Sequence, residues 1–305
     1  MLHLSVTVPA DRAAEIVAHF DVTPGVAHLA HLVGASRRPP GDLVQCDVAR
    51  EGADDLVEWL QAEGIDRDGA ITITQLDTVV SKAAERAEDE APGYGTDALI
   101  WDEVEATVRE QALLTPSLLV VMAVAAMLAG VGILLDSPIL IVGAMVVGPE
   151  YGPVAALSVA VVQRRWSHAG HALGTLAAAV AAGSVATFVL MLALRAAGID
   201  PDGYILSERQ LTAFISRPDA LAAVVAVLAG VAGMLALTQN RSGTLVGVLV
   251  SVTTIPAVAN IGVAAAYGEE AEMAGAAFQL SVNIVGLVLA GAATLALQDR
   301  LTARR

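Results

Sequence analysis

The chain has 305 residues, of which 55% are hydrophobic and only 16% are charged, and its formal net charge is −15. Soluble globular proteins carry about 25% charged residues, so this composition indicates a membrane protein. The acidic charge argues against nucleic acid as a partner, because it repels the phosphate backbone. The single cysteine, Cys46, cannot form an internal disulfide and is predicted to be a small buried hydrophobic residue.

The negative charge is concentrated in the first part of the chain. Residues 1–116 contain 8 Lys and Arg against 22 Asp and Glu, whereas residues 117–305 contain 9 against 10. Met1–Ala10 lacks the basic start and the long apolar core of a signal peptide, so the first spanning helix is expected to direct insertion. We predict a soluble cytosolic domain in residues 1–80, a linker with an amphipathic helix in 81–116 and a membrane domain in 117–305.

The first 80 residues alternate between strand and helix patterns. Leu2, Leu4, Val6 and Val8 alternate with polar residues, as in a strand with one buried face. The predicted elements are strand 2–8, helix 10–20, strands 26–33 and 43–48, helix 53–62 and strand 70–76. This βαββαβ order is that of the ferredoxin-like fold, an antiparallel four-stranded sheet with both helices on one face. The fold hosts ligand-binding regulatory modules as well as assembly domains, so a small ligand is one possible partner of this domain.

The soluble domain offers little to a metal or cofactor. His28 and His31 are three residues apart, but on a strand they would point to opposite faces. The cysteine spacings of iron–sulfur proteins are absent from the sequence. We therefore expect no metal and no cofactor.

Residues 97–112 form the amphipathic part of the linker. Ile100, Trp101, Val104 and Val108 fall on one stripe of a predicted helix. This helix could lie along the membrane surface with Trp101 at headgroup level, or it could pack on the soluble domain. The pattern does not distinguish the two arrangements.

Six nearly uncharged windows follow, each close to or above the ~20 helical residues that cross ~30 Å of hydrocarbon. They are residues 118–135, 138–162, 172–194, 220–237, 243–267 and 273–297. Seven arginines flank these windows on one side and three on the other, and the richer side is predicted to be cytoplasmic. The chain is thus predicted to be a multi-pass protein of the cell membrane with both termini in the cytoplasm and an acidic outer rim.

The six windows form two related halves. Leu128-Ala-Gly-Val131 in the first window recurs as Leu228-Ala-Gly-Val231 in the fourth, and Ser137-Pro-Ile-Leu140 matches Ser242-Gly-Thr-Leu245 in position. Each half has three spans, an odd number, so the halves must enter the membrane from opposite sides. We predict an inverted-topology repeat, in which the substrate site lies near the midplane on helices interrupted by Gly or Pro.

The second and fifth windows carry such interruptions. Gly148-Pro-Glu-Tyr-Gly-Pro153 and Thr253-Thr-Ile-Pro256 are expected to open these helices, because proline removes a backbone hydrogen bond. Glu150 is the only acidic residue in mid-window, where an unpaired carboxylate costs at least ~2.5 kcal/mol. It is either a functional group or a neutral carboxyl bonded to the open backbone. The predicted pathway residues are Gly148, Pro149, Glu150, Tyr151, Gly152, Pro153, Thr253, Thr254, Pro256, Asn260, Gln279 and Asn283.

The same run carries a family resemblance. Leu134 to Pro153 resembles the signature of a family of hydrophobic membrane proteins catalogued as domain of unknown function three-eight-nine, and Gly247 to Pro256 is similar to its second proline-containing helix. The resemblance covers about residues 100–300. It implies a membrane protein without implying a substrate. Many members carry Ser-Pro followed by apolar residues where this chain has Gly148-Pro-Glu-Tyr151.

These features favour a transporter or channel for a small solute or ion. Transport would be passive or ion-coupled, since the sequence has no phosphate-binding motif, and the acidic outer rim favours a cation. The alternative is a non-transporting membrane sensor or oligomeric scaffold that signals through the soluble domain. Hydrolase and metalloprotease motifs are absent, so we expect no enzyme. The expected partners are the lipid bilayer, a small solute or cation and, given the Gly- and Ala-rich helices, further copies of the chain.

Overall fold

The structure is a computed structural model of the full chain. It describes residues 1–76, 78–91, 101–199, 211–212, 215–216, 220–239 and 244–302, with the side chains of 244–253 and 302 excepted. The chain divides into two compact units, Met1–Val104 with the end of the chain from Gln298, and Glu105–Leu297.

The first unit contains a four-stranded antiparallel sheet, as the sequence predicted. Its elements are β1 (Leu2–Val8), α1 (Ala13–Val22), β2 (Val26–Arg37), β3 (Pro40–Val48), α2 (Arg50–Ala62), α3 (Ile65–Asp68) and β4 (Ala70–Gln75). The strand order is β2-β3-β1-β4, with Leu4 of β1 opposite Cys46 of β3 and Ile73 of β4. The short helix α3 and the longer β2 and β3 were not predicted.

The core of this unit lies on one face of the sheet. Alternate residues of β1 are buried, and α1 and α2 close the same face with Phe20 and Leu60. Cys46 is fully buried in this core, as predicted, and burial raises the pKa of its thiol to about 12. His28 and His31 hydrogen-bond different carboxylates, Asp47 and Asp42.

Two helices follow the sheet, α4 (Lys82–Glu90) and α5 (Trp101–Gln111). Ser81 caps α4 by accepting hydrogen bonds from the N–H groups of the first turn. The start of α5 packs within the first unit through Trp101. The backbone N–H of Trp101 donates to Asp54, and its indole N–H donates to Asp299. The predicted start of this helix, residues 97–100, lies outside the described residues.

The second unit is built from long apolar helices. They are α6 (Pro116–Leu134), α7 (Pro138–Val147), α8 (Tyr151–Val162), α9 (Trp166–Ala196), α10 (Ala220–Thr238), α11 (Thr244–Tyr267) and α12 (Glu270–Thr302), the last of which ends in the first unit. Thr115 caps α6, with Pro116 at its first position.

The number of spanning helices was predicted to be six. Among the described residues, α6, α9, α10 and α12 are long and apolar enough to cross a membrane. The bent pair α7 and α8 brings the number to five if the pair is one span. The fifth predicted window corresponds to α11, of which only Thr254–Tyr267 has described side chains.

Contacts at glycines show the relative directions of the helices in this unit. A β carbon added at Gly183 of α9 would lie 3.1 Å from Ala126 Cβ of α6, and one added at Gly130 of α6 would lie 2.6 Å from Thr187 of α9. Contacts that advance by four residues on both helices mean that α6 and α9 are parallel. By the same test α9 and α11 are parallel, since Gly183 lies against Val258 and Thr187 against Gly262.

Helices α10 and α12 make the corresponding pair. A β carbon added at Gly286 of α12 would lie 2.8 Å from Ala226 Cβ of α10, and one added at Gly230 of α10 would lie 2.8 Å from Ala290 Cβ of α12. These contacts also advance by four residues on both helices, so α10 and α12 are parallel to each other.

Candidate functional site

The break in the second window separates α7 from α8, whose axes are bent by 59°. Gly148 ends α7 in an extended conformation, with φ −64° and ψ 133°. It precedes Pro149, whose ring disfavours helical backbone at the residue before it and which cannot donate a hydrogen bond. The predicted interruption of this helix by Gly148 and Pro149 is therefore confirmed.

Glu150 is the N-cap residue directly before α8, and it is only 2% exposed. One carboxylate oxygen, Oε1, accepts a 2.6 Å hydrogen bond from the Thr254 hydroxyl of α11, which is also 2% exposed. The other oxygen, Oε2, has no hydrogen-bond partner within the described part of the chain. The site thus joins the bent pair to α11 through one hydrogen bond and leaves one buried carboxyl oxygen without a partner among the described residues.

Helix α11 departs from the prediction. It was expected to be opened at Pro256, but it continues from Thr244 to Tyr267 with this proline inside. A lone proline removes one backbone hydrogen bond and can be absorbed as a kink, whereas the first interruption adds a glycine before its proline. Ile255 precedes Pro256 and is fully buried against the neighbouring helices. The predicted opening of the fifth helix is therefore wrong.

The remaining predicted polar residues are buried on α11 and α12. Asn260 is fully buried, and neither of its amide atoms has a hydrogen-bond partner among the described residues. Gln279 donates from Nε2 to Asn283 Oδ1 at 3.0 Å, one turn along α12. The structure therefore pairs Glu150 with Thr254 and Gln279 with Asn283. The side chain of Thr253 lies outside the described residues.

The residues after Glu150 shape the start of α8. The Tyr151 hydroxyl is buried without a hydrogen-bond partner in the described part of the chain, and Pro153 is buried in the first turn, where proline is tolerated. A β carbon at Gly152 would lie 2.6 Å from Gln111 O, so only glycine permits this approach of α5.

Two neighbours of the site, Gln111 and Ile255, were not anticipated, because packing contacts of this kind leave no signal in the sequence.

Farther along α11, Arg195 at the end of α9 donates to the Ala266 carbonyl and lies 4.8 Å from the centre of the Tyr267 ring. It therefore neutralises the carboxyl end of α11 from the end of α9.

Comparison with known proteins agrees with the resemblance noted in the sequence. Residues 145–289 match the model of a family described as domain of unknown function, DUF389. The match covers just under half of the chain. All twelve predicted pathway residues lie inside the matched range. Known solved structures provide no match to this chain.

A distant relative of the chain is an uncharacterized protein of Methanocaldococcus jannaschii. The two are 26% identical over 202 residues, which is 66% of this chain and 60% of that relative. The match thus spans less than two thirds of the relative. Neither the family description nor the relative's name specifies a substrate.

Proposed function

We propose that the protein is a membrane transporter or channel for a small solute or ion, passive or ion-coupled, with a regulatory N-terminal domain in the cytoplasm. The observation that carries the proposal is the buried Glu150 at the break between α7 and α8, bonded to Thr254 and with one oxygen unpaired. Broken backbone and an ionisable group at membrane depth occur where they line a cavity or pathway.

The helix directions support crossing of the membrane by the bent pair. Parallel α6 and α9 must enter from the same side, so the chain between them has to return across the bilayer. Only α7 and α8 lie between these helices, and a re-entrant loop would make α6 and α9 antiparallel. The pair therefore counts as one span in the proposed topology.

The same reasoning extends the proposed topology to six spans. The Arg195 contact with Ala266 brings the carboxyl ends of α9 and α11 to one side. Helix α10 lies between α9 and α11 in sequence. If α10 crosses the bilayer, α11 must cross back in the opposite direction for its carboxyl end to reach the same side as that of α9. The five residues from 239 to 243 reach at most ~18 Å, less than the ~28 Å length of α10, so α11 starts where α10 ends.

These directions support the proposed inverted repeat. Helices α10 and α12 run opposite to α6, α9 and α11. Ala126 and Gly130 of α6 contact α9. The residues 100 positions later, Ala226 and Gly230 of α10, contact α12 in the same way. When the two halves are aligned so that Ser137 matches Ser242, Glu150 corresponds to residue 255 and Thr254 corresponds to residue 149. The Glu150–Thr254 bond therefore joins nearly equivalent points of the two halves, and we infer that it lies near the pseudo-two-fold axis at the midplane.

The chemistry of the site favours a small cation. Carboxylate, hydroxyl and amide oxygens are hard ligands, suited to a proton or an alkali cation. Within the described residues, no group of three or more His, Cys, Asp or Glu is placed to hold a metal ion. We further propose the cell membrane as the location, cytoplasmic termini and a homo-oligomeric assembly, in line with the arginine bias and the small-residue helix faces.

The test is ion flux into vesicles that contain the purified protein, with K⁺, Na⁺ and proton gradients applied in turn. Glu150→Gln keeps the shape of the side chain and removes its charge, and Thr254→Val removes the hydroxyl that binds it. Glu272→Gln is the matched control, because Glu272 is also buried in the membrane unit at 9% exposure. We expect at least ~10-fold lower flux in the two site variants and unchanged flux in the control.

Two outcomes oppose the proposal in different ways. Wild-type vesicles that pass none of these ions or a panel of small solutes would favour the sensor or scaffold. Flux that is equal in wild type and Glu150→Gln would leave a transporter but remove Glu150 from its pathway. Size-exclusion elution of each variant at the wild-type volume shows that the fold is retained.

A further inference from the structure

A second chemical grouping lies in the N-terminal unit, on the sheet face opposite the buried core. Asp47 Oδ2 lies 2.6 Å from His28 Nδ1, and His28 Nε2 lies 2.7 Å from the hydroxyl oxygen of Ser81. The order carboxylate, Nδ1, Nε2, hydroxyl is the hydrogen-bond order of a serine nucleophile with its base and its orienting acid. The three residues come from β3, β2 and the start of α4.

The local backbone is arranged around His28. The pairing of β2 with β3 is irregular between Ala27 and Ala30, and His28 has a φ of +52°, which is uncommon for a residue other than glycine. A bulge re-aims a side chain out of the regular strand alternation. At this point it turns the imidazole towards Asp47 on one side and Ser81 on the other.

The carboxylate is held in its charged form. Partial burial alone would raise the pKa of Asp47, but the hydrogen bonds of His28 and His3 outweigh it and hold this pKa below its ordinary value. His3 Nδ1 lies 2.8 Å from the second oxygen of Asp47 and fixes the orientation of the carboxylate. An ionised Asp47 requires His28 to carry its proton on Nδ1, which leaves Nε2 free to accept the Ser81 proton.

The surroundings of Ser81 place positive charge beside its hydroxyl oxygen. Ser81 precedes the first turn of α4 and accepts hydrogen bonds from the N–H groups of Ala83 and Ala84 at 3.2 and 3.4 Å. The amino end of this nine-residue helix has a partial positive charge, and the exposed Lys82 adds a full one. The His28 side chain is 38% exposed, so a small molecule can reach the pair from solvent.

We propose that Asp47, His28 and Ser81 form a nucleophilic serine site that hydrolyses small carboxylic esters. The Ser81 oxygen attacks the ester carbonyl carbon while its proton passes to His28 Nε2. The carbon–oxygen bond to the alcohol breaks, and His28 returns the proton to the leaving alcohol. A water molecule then attacks the acyl carbon while His28 takes one of its protons. His28 returns that proton to the Ser81 oxygen as the bond between this oxygen and the acyl carbon breaks, which releases the carboxylic acid. The proposal is independent of transport and adds an activity that the sequence did not predict.

The simpler interpretation is that Ser81 only caps α4, and a substitution separates the two roles. Asparagine is as good an N-cap as serine but has no nucleophilic hydroxyl, so Ser81→Asn retains the helix. His31→Asn is the matched control for the imidazole, because His31 makes the same kind of 2.7 Å bond to Asp42 on the same strand. Ser36→Ala is the control for the hydroxyl, which in Ser36 donates to the Pro39 carbonyl.

The experiment treats the purified full-length protein with a fluorophosphonate, whose fluoride is displaced by an activated serine, and with p-nitrophenyl acetate. We expect one adduct, located on Ser81 by peptide mass spectrometry, and ester hydrolysis above the buffer rate. Ser81→Asn should lose the adduct, and both Ser81→Asn and His28→Asn should lower hydrolysis about 10²-fold or more. The His31→Asn and Ser36→Ala variants should match wild type. No adduct on wild type, or hydrolysis that survives Ser81→Asn, would overturn the proposal.

Discussion

Gly148, at the end of α7, packs directly against Ile255 of α11. A β carbon added at Gly148 would lie 2.6 Å from Ile255 Cγ1 and would also overlap the free oxygen of Glu150. Ile255 is buried and cannot move away without displacing the core around it. This position therefore fixes both the bend and the placement of the carboxylate.

Gly148→Ala should destabilise the protein by about 1–3 kcal/mol, the usual effect of adding a methyl group to a packed core. Gly143→Ala is the control on the same helix, since a β carbon there meets no atom within 4 Å. It should be neutral or slightly stabilising, because alanine favours helix. Thermal unfolding in detergent measures both. Equal melting temperatures for the two variants would show that the bend does not depend on this contact.

The glycines Gly183 and Gly286, one in each of the two proposed halves, lead to a second prediction. Gly183→Val and Gly286→Val should both lower stability by about 1–3 kcal/mol, because each forces apart two parallel helices at an alanine contact. Gly174→Val on α9 is the control, since its added side chain meets open space. The measurement is the fraction of protein that remains monodisperse after heating. A loss confined to one half would argue against equivalent packing of the halves.

The sequence predicted the elements that depend on local patterns and failed where distant residues meet. Strand β1 has the predicted bounds because its alternation is regular, and the break after Gly148 follows from the Gly-Pro pair alone. The uninterrupted α11 depends on the packing of Ile255, which one sequence does not reveal. The hydrogen bonds that unite His28 with Ser81 depend on a bulge and on the path of the chain to α4. Periodicity contains no information about either.

Asp54 gives a prediction about pH. Burial raises its pKa to about 6, although the N–H of Trp101 donates to it, and nearby carboxylates add to the rise. The folded state therefore holds the proton more tightly than the unfolded state. This contribution to stability is present below the unfolded value of 3.8 and is lost as the pH rises through about 6.

Asp54→Asn should consequently stabilise the N-terminal unit above pH 6, on the order of 1 kcal/mol after discounting for partial exposure, and much less at pH 4. The amide oxygen can still accept from Trp101. Cys46 is the only cysteine and is buried in this unit, so the denaturant concentration at which it becomes reactive to a thiol reagent reports unfolding in the intact protein. A stabilisation that is equal at both pH values would mean that the charge of Asp54 is not the cause.

The last prediction concerns topology and uses the two ends of α9. Trp166 and Ile199 are 69% and 68% exposed at its start and just beyond its end, and a 31-residue helix is ~46 Å long, enough to place them on opposite sides of a bilayer. In a Cys46→Ala background, Ile199→Cys should react in intact cells with a reagent that does not cross membranes. Trp166→Cys, next to Arg165 on the predicted cytoplasmic side, should react only after the cells are opened. The reverse pattern would invert the proposed orientation while leaving the span intact. Reaction of both cysteines in intact cells would show that α9 does not span the membrane. The argument from parallel helices for six spans and for the inverted repeat would then fail, because it starts from α9 as a span.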